Sequence, residues 1–157
     1  MYTNYLQPKF SHYPRGLRNN NPGNLVITAI KWDGKIPTSQ NTDGHFEQFT
    51  ELRYGIRAMM RDLYNDVQKG QNNIVKLISA FAPAFENQTP AYINTVATLV
   101  GLNPTAAIDL TEETLIALCK AIVLVENGSD WAYKVSKQDY RDALAIFGKP
   151  LKKKLTR

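Results

Sequence analysis

The sequence is poor in the residues that bind metals, form disulfides or act as activated nucleophiles. Its 157 residues include one cysteine, Cys119, and two histidines, His12 and His45. A single cysteine cannot form an internal disulfide, and neither histidine has a second histidine or a cysteine pair at ligand spacing. The same shortage of cysteine and histidine argues against a nucleophilic catalytic triad. The sequence therefore predicts no metal site, no cofactor and no disulfide framework.

Long apolar runs are also missing. The N-terminal residues MYTNYLQPKF lack a cationic leader followed by an apolar stretch, and no window approaches the ~18 apolar residues of a membrane span. We therefore expect synthesis in a cytoplasm without a signal peptide. If the protein acts elsewhere, another component must carry or release it.

The chain is basic, with a formal net charge of +5 and a pI near 9.3. Such a charge attracts polyanions, whether nucleic acid, a phospholipid surface or the acidic polymers of a bacterial envelope. The arginines and lysines form no DNA-reading helix or RNA-binding motif, so no specific nucleic-acid partner is predicted. The length indicates one domain over residues 1–157 that ends in a basic tail at 149–157, and we expect a monomer.

Apolar side chains recur every three or four residues from position 50 onward, which predicts helices. Capping residues, prolines and glycines divide this region into successive helices. The first ends at Gly70 and the second stops at Pro83. The third has Thr89 as its cap and Gly101 past its end, the fourth covers about 111–127, and the fifth runs from a capping box of Ser136 and Asp139 to 147. Most of the chain is therefore predicted to be helical.

The front third has a different pattern. The stretch LVITAIKWDGKI alternates loosely between apolar and polar residues, Asp33-Gly34 is a favoured hairpin turn, and HFEQF has room for a returning strand. The predicted fold class is therefore α+β, mainly α-helical, with a small β-hairpin lobe near the N-terminus.

Glu126 continues an apolar stripe on the fourth predicted helix. Leu115, Cys119 and Ile122 step by four and three residues, and the next position on that face is Glu126. Burial, the negative end of the helix dipole and the nearby Trp131 all disfavour the ionised carboxylate. Together they raise the pKa of the acid, as a general acid requires in order to hold a proton near neutral pH.

Interpretations without a catalytic role remain open for the candidate residues. In the first of these the helix has ended by Glu126, whose side chain is solvated or paired with Lys120 or Lys134. Glu86 lies between the second and third predicted helices, where a carboxylate can cap the following helix as well as act in catalysis. Tyr92 fits either a core or a cleft.

The stretch RGLRNNNPGNLV, residues 15–26, contains four asparagines and two glycines. Amides offer a donor and an acceptor without charge, which suits hydroxyl- and acetamido-bearing ligands such as amino sugars, and glycines permit a close approach of the backbone. Asparagine, proline and glycine are also the favoured turn formers, so a purely structural loop is the competing interpretation.

Several motifs occur together in one order. They are RGLRNNNPGNL, the W-x-G of residues 32–34, F-x-x-F followed by YGIRA within 46–58, A-P-x-x-E-N-x-T-x-x-Y at 82–92, and AIVLVENG at 121–128. In these motifs the chain resembles phage-encoded lysozyme-like proteins, a family often labelled virion structural proteins or peptidoglycan hydrolases. The resemblance covers residues 15–148. One departure is Val125, where members of the family often carry histidine.

The resemblance implies a lysozyme-like fold with a circularly permuted order of elements, because the V-E-N-G helix comes last here. It also implies cleavage of peptidoglycan glycan strands, by a muramidase or a lytic transglycosylase, with Glu126 as the general acid. A hydrolase would need a second catalytic carboxylate, for which Glu86 is the first candidate and Asp43 the second. A transglycosylase could dispense with it.

The expected substrate-binding residues are Asn20, Asn21, Asn24, Trp32, Asn87 and Tyr92. The expected partners are glycan strands, together with anionic envelope polymers or a membrane surface that the basic residues attract. The protein would act in the cell wall or periplasm, after release as an endolysin or delivery by a virion. The alternative is a non-catalytic peptidoglycan-binding module of a virion.

Overall fold

A computed structural model of the chain describes residues 1–82 and 88–153. Its α-helices are α1 (Arg15–Arg18), α2 (Leu52–Gln68), α3 (Ile74–Phe81), α4 (Thr89–Val100), α5 (Glu112–Asn127) and α6 (Lys137–Ala145). Single 3-10 turns cover Pro8–Phe10, Thr38–Gln40 and Ala132–Lys134. None of these helices is long and apolar enough to cross a membrane.

The helix boundaries follow the predicted signals at Gly101 and Ser136, but not the predicted cap at Thr89. The Thr111 side chain accepts a hydrogen bond from the amide of Thr114, and Ser136 forms a capping box with Asp139 at the start of α6. At the other end of α4, Gly101 is the C-cap. Thr89, which the sequence predicts as the cap of α4, is instead its first helical residue.

The core lies between α2 and the later helices. Met59, Met60 and Leu63 of α2 are completely buried, as are Leu118 and Ile122 of α5. α5 packs against α4 and α2, while α6 packs against α2 and α3 against α4. Because these side chains share one apolar cluster, the ends of α4 and α5 are held in a fixed relation to each other.

The prediction of a β-hairpin lobe is wrong. Across residues 1–82 and 88–153 the structure has no β-strand, and the front region has only two isolated antiparallel bridges, Val26 with Phe46 and Lys35 with Phe49. The turn at 33–34 does form, since the amide of Lys35 bonds to the carbonyl of Trp32. The predicted fold class, an α+β, lysozyme-like fold with a circularly permuted order of elements and a small β-hairpin lobe, is therefore contradicted, whereas its mainly helical character is confirmed.

Side-chain acceptors hold the loop that precedes the expected returning strand. The Asn41 side chain accepts from the amides of Asp43 and Gly44, and the Asp43 carboxylate accepts from the amide of Phe46 at 2.8 Å. Residues 45–50 then bond through their backbone to both 25–27 and 34–36, but each contact is an isolated bridge and no strand forms among these residues.

Part of the basic tail packs onto the domain. The amide of Lys152 bonds to the carbonyl of Leu110 at 3.2 Å, its Nζ lies 3.0 Å from an oxygen of Asp109, and Leu151 packs against the core. The tail is thus anchored beside the start of α5 at Leu151 and Lys152.

Candidate active site

Glu126 opens into a cavity of about 440 Å³ between α4, α5 and the asparagine-rich loop. The cavity is lined by Asn24, Phe46, Gln88, Ala91, Tyr92, Thr95, Val125 and Glu126. We call it the acid cavity. Of the predicted site residues, it brings together Glu126, Asn24 and Tyr92.

Two neutral donors hold the Glu126 carboxylate. Asn24 donates from Nδ2 to Oε1 at 2.9 Å, and the Tyr92 hydroxyl donates to Oε2 at 2.8 Å. Glu126 sits in the last turn of α5 and is half-buried. Both carboxylate oxygens are therefore fixed in position while one side of the group faces the cavity.

Burial raises the pKa of Glu126 above its usual value, and the hydrogen bonds from Asn24 and Tyr92 only partly oppose this rise. Burial also raises the pKa of Tyr92, so its phenol keeps its proton and can donate. The raised acid pKa agrees with the sequence-based expectation. The packing around the end of α5 buries the Glu126 carboxyl and so raises its pKa.

Trp131 contributes less than expected to that environment. Its ring lies 4.9 Å from the ring of Tyr13 and 6.1 Å from that of His12, and it does not line the acid cavity. Within the described residues, neither Lys120 nor Lys134 forms an ion pair with Glu126. The solvated or lysine-paired interpretation of Glu126 therefore does not hold.

The end of α5 and the asparagine-rich loop meet at Gly16. A Cβ atom there would lie 2.9 Å from Oδ1 of Asn24 and 2.6 Å from Oδ1 of Asn127, so only glycine allows both side chains to come this close. Asn127 in turn donates to the carbonyls of Pro22 and Val123, at 2.8 and 3.0 Å. Gly16 and Asn127 thus place Asn24 against Glu126. Sequence reasoning missed both roles, although the N-G that follows Glu126 marked the helix end.

Asn20 and Asn21 support the loop and do not line the acid cavity. Both are completely buried. The Asn20 amide group bonds to the backbone of Tyr5 and Phe49, and Asn21 donates to the carbonyls of Leu25 and Glu47. In this conformation their contacts fit the structural-loop interpretation and leave no surface for a ligand.

The other predicted site residues lie elsewhere. Trp32 is half-buried at the 33–34 turn and does not line the acid cavity. Glu86 and Asn87 lie outside the described residues. Asp43 is bound by both Nε and Nη2 of Arg15, at 2.7 and 2.8 Å, and this contact holds the pKa of its carboxyl well below the usual range. Among the described lining residues of the acid cavity, Glu126 is the only carboxylate.

The fold and the cavity define a small, mainly helical protein that holds a half-buried carboxylic acid between an amide and a phenol. No family model matches the chain. Over 120 residues, 74% of this chain and 72% of the relative, it is 38% identical to Protein P5 of Pseudoalteromonas phage PM2. The chain therefore belongs to the family of Protein P5 of phage PM2. The predicted bacteriophage association is confirmed, while the name of that relative states no activity.

Proposed function

We propose that the chain cleaves the glycan strands of peptidoglycan, with Glu126 as the general acid. The observation that carries this proposal is a carboxylic acid of raised pKa, oriented by Asn24 and Tyr92, that opens into a cavity large enough for a sugar residue. The resemblance of the motifs to phage lysozyme-like proteins that degrade peptidoglycan supports the same substrate.

In the first step the protonated Glu126 donates its proton to the glycosidic oxygen as the bond from that oxygen to the anomeric carbon breaks. A positioned general acid of this kind contributes roughly 10²–10⁴-fold to the rate. The donors from Asn24 and Tyr92 then stabilise the carboxylate that forms, because both bond to its oxygens. Catalysis would be supported by the same two contacts that orient the acid.

For the second step we propose the route of a lytic transglycosylase, which needs no second catalytic carboxylate. Glu126 is the only carboxylate among the described lining residues, and Glu86, the first candidate for a second one, lies outside the described residues. The muramyl 6-hydroxyl can instead attack the anomeric carbon and lose its proton to the Glu126 carboxylate. This closes an anhydro ring and restores the acid.

The place of action follows from this substrate. We propose that the protein acts in the cell wall or periplasm, after release as an endolysin or delivery by a virion. The net charge of +5 would hold it near anionic envelope polymers or a membrane surface, by attraction that acts on encounter and weakens as salt rises.

Digestion of purified peptidoglycan tests the proposal. The wild type is expected to clear the suspension and to release anhydromuramyl ends, detected by mass spectrometry, whereas reducing ends would identify a muramidase. Glu126→Gln keeps the shape but removes the proton, so we expect a loss of roughly 10²–10⁴-fold at an unchanged Tm. Glu113→Gln, an exposed position in the first turn of the same helix, is the matched control.

Two results would count against the proposal. Glu126→Gln activity near that of the wild type would show that another group supplies the proton. Wild-type protein that binds peptidoglycan without clearing it would instead support the non-catalytic virion module.

A further inference from the structure

A second cavity adjoins the acid cavity. It has a volume of about 750 Å³, and its lining includes Leu6, Arg15, Arg18, Ile36, Gln40 and Gln48. The two cavities share a wall, because the guanidinium carbon of Arg15 lies 4.6 Å from the ring centroid of Phe46, which lines the acid cavity. We call the second cavity the arginine groove.

The arginine groove carries one positive charge that no carboxylate balances. Arg15 and Arg18 are three positions apart on α1, and therefore lie on one side of this turn. Arg15 is neutralised by its two bonds to Asp43. Arg18 donates from Nη1 to the carbonyl of Tyr13 at 2.9 Å, and it has no ion pair within residues 1–82 and 88–153.

The neutral part of the lining narrows the class of ligand. Gln40 presents an exposed amide group, which matches the donors and acceptors of a peptide backbone, while Leu6 and Ile36 offer apolar contact to small side chains. The buried amides of Gln48 and Asn19 bond to each other and form the floor of the groove. A single net charge suits one carboxylate. Nucleic acids and other polyphosphates are bound by several cations together, so they fit this groove less well.

We propose that the arginine groove binds the peptide stem of a glycan strand whose sugars occupy the acid cavity, with Arg18 binding a stem carboxylate. This inference rests on the proposed function. The stem is attached to the muramyl residue, so it leaves the sugar chain close to the bond that is cut. Two cavities separated by the contact between Arg15 and Phe46 can hold these adjacent parts of one substrate.

The first experiment compares two substrates. Glycan strands that carry their stems and strands stripped by an amidase are digested, and kcat/KM is measured on each. We expect the wild type to prefer stem-bearing strands. Arg18→Gln should lower this preference about tenfold, because it removes a charge-assisted hydrogen bond. Arg18→Lys keeps the charge but loses the planar fork, so it should retain part of the preference.

A second variant leaves Arg18 in place. Gln40→Glu adds a negative charge to an exposed position in the groove at nearly constant shape, and it should also weaken the preference for stems. Gln68→Glu makes the same charge change at an exposed position of α2 that lines neither cavity, and should leave the preference unchanged. Thermal unfolding of each variant checks that it is folded. If Arg18→Gln does not fold, the comparison of Gln40→Glu with Gln68→Glu still tests the proposal.

Calorimetry with a soluble stem peptide provides a readout that does not depend on cleavage. Binding to the wild type that is lost in Arg18→Gln supports the inference. Equal cleavage of both substrates by the wild type, or an unchanged preference in the Arg18→Gln and Gln40→Glu variants, would overturn the groove assignment and leave the proposed function standing. Cleavage of neither substrate would overturn the proposed function, and the absence of peptide binding would then overturn the groove assignment as well.

Discussion

The front of the chain, up to about residue 50, and the helical region behind it are held together by different chemistry. In the helical region the completely buried side chains are apolar and recur at helical spacing, as Met59, Leu63 and Ile122 do. In the front region the completely buried side chains include Asn20 and Asn21, which bond to the backbone. Apolar packing tolerates small adjustments, whereas a buried amide must find each partner or lose stability. The candidate acid lies where the two regions meet.

Removing one buried amide is expected to have the largest effect on stability. Asn20→Ala leaves the carbonyl of Phe49 and the amide of Tyr5 without their partner, at roughly 1–3 kcal/mol. It also places alanine at a φ of 54°, where the left-handed conformation costs about 1 kcal/mol more. Urea unfolding should therefore show a loss of about 3 kcal/mol in the free energy of unfolding.

Asn20→Gly is the matched variant, because it removes the same hydrogen bonds without the backbone cost. It should lose about 1 kcal/mol less than Asn20→Ala. Equal losses would show that the backbone conformation of residue 20 contributes nothing.

The contrast between the regions also explains which predictions held. The capping box of Ser136 and Asp139 acts within a few residues, so the sequence predicts it well. Glu126 was found because it interrupts an apolar stripe of α5. The hairpin prediction was wrong because alternation does not reveal that residues 45–50 pair with 25–27 and 34–36 only through isolated bridges.

Local sequence patterns could not identify the residues that contact the candidate acid. Asn24 and Glu126 are 102 positions apart, and their contact depends on the absence of a side chain at Gly16. Asn127, which joins α5 to the loop, carries no periodic signal that would distinguish it from an ordinary helix end. Contacts of this kind follow from the packing of the whole domain.

Two aspartates are expected to respond to pH with opposite sign in the two regions. In the helical region, burial and the neighbouring Asp66 raise the pKa of Asp62 to about 6. Between about pH 4 and 6 the unfolded chain binds fewer protons at this residue, so the free energy of unfolding falls as the pH rises. Asp62→Asn should remove this slope and add about 2 kcal/mol at pH 7.

Asp43 in the front region should show the reverse. Arg15 holds the pKa of Asp43 below its usual range, so its contribution to stability is complete above about pH 4 and is lost as the pH falls. Asp43→Asn should therefore lower the free energy of unfolding at pH 7 and flatten its dependence in acid. Urea unfolding of the wild type and both variants is measured from pH 2.5 to 7. The difference between the wild type and each variant gives the slope of the free energy of unfolding with pH that each aspartate contributes, and slopes of the same sign would contradict the prediction.

The smallest expected effect concerns the contact between Tyr92 and Glu126. Tyr92→Phe removes a donor that lowers the pKa of Glu126, so that pKa should rise further. Carbon-13 NMR titration of the Glu126 carboxyl measures the change directly. If the protein is the proposed enzyme, the basic limb of its pH-rate profile should move to higher pH, with a change of less than about tenfold at neutral pH.

Tyr133→Phe, at an exposed position outside the acid cavity, is the control for this titration. A Glu126 pKa that stays the same or falls in Tyr92→Phe would show that the phenol does not act as a donor to the carboxylate.

The residues that form the acid cavity are far apart along the chain. This separation determines when, during translation, the cavity can form. Asn24 and Pro22 are translated early, and their partners Glu126 and Asn127 follow 102 and 105 residues later. A ribosome releases the chain from its N-terminus at about 5–20 residues per second, so the early loop emerges seconds before its acid exists. A nascent or prematurely terminated chain that lacks α5 has no acid to close the cavity. The order of the sequence therefore delays assembly of the cavity until α5 has been translated.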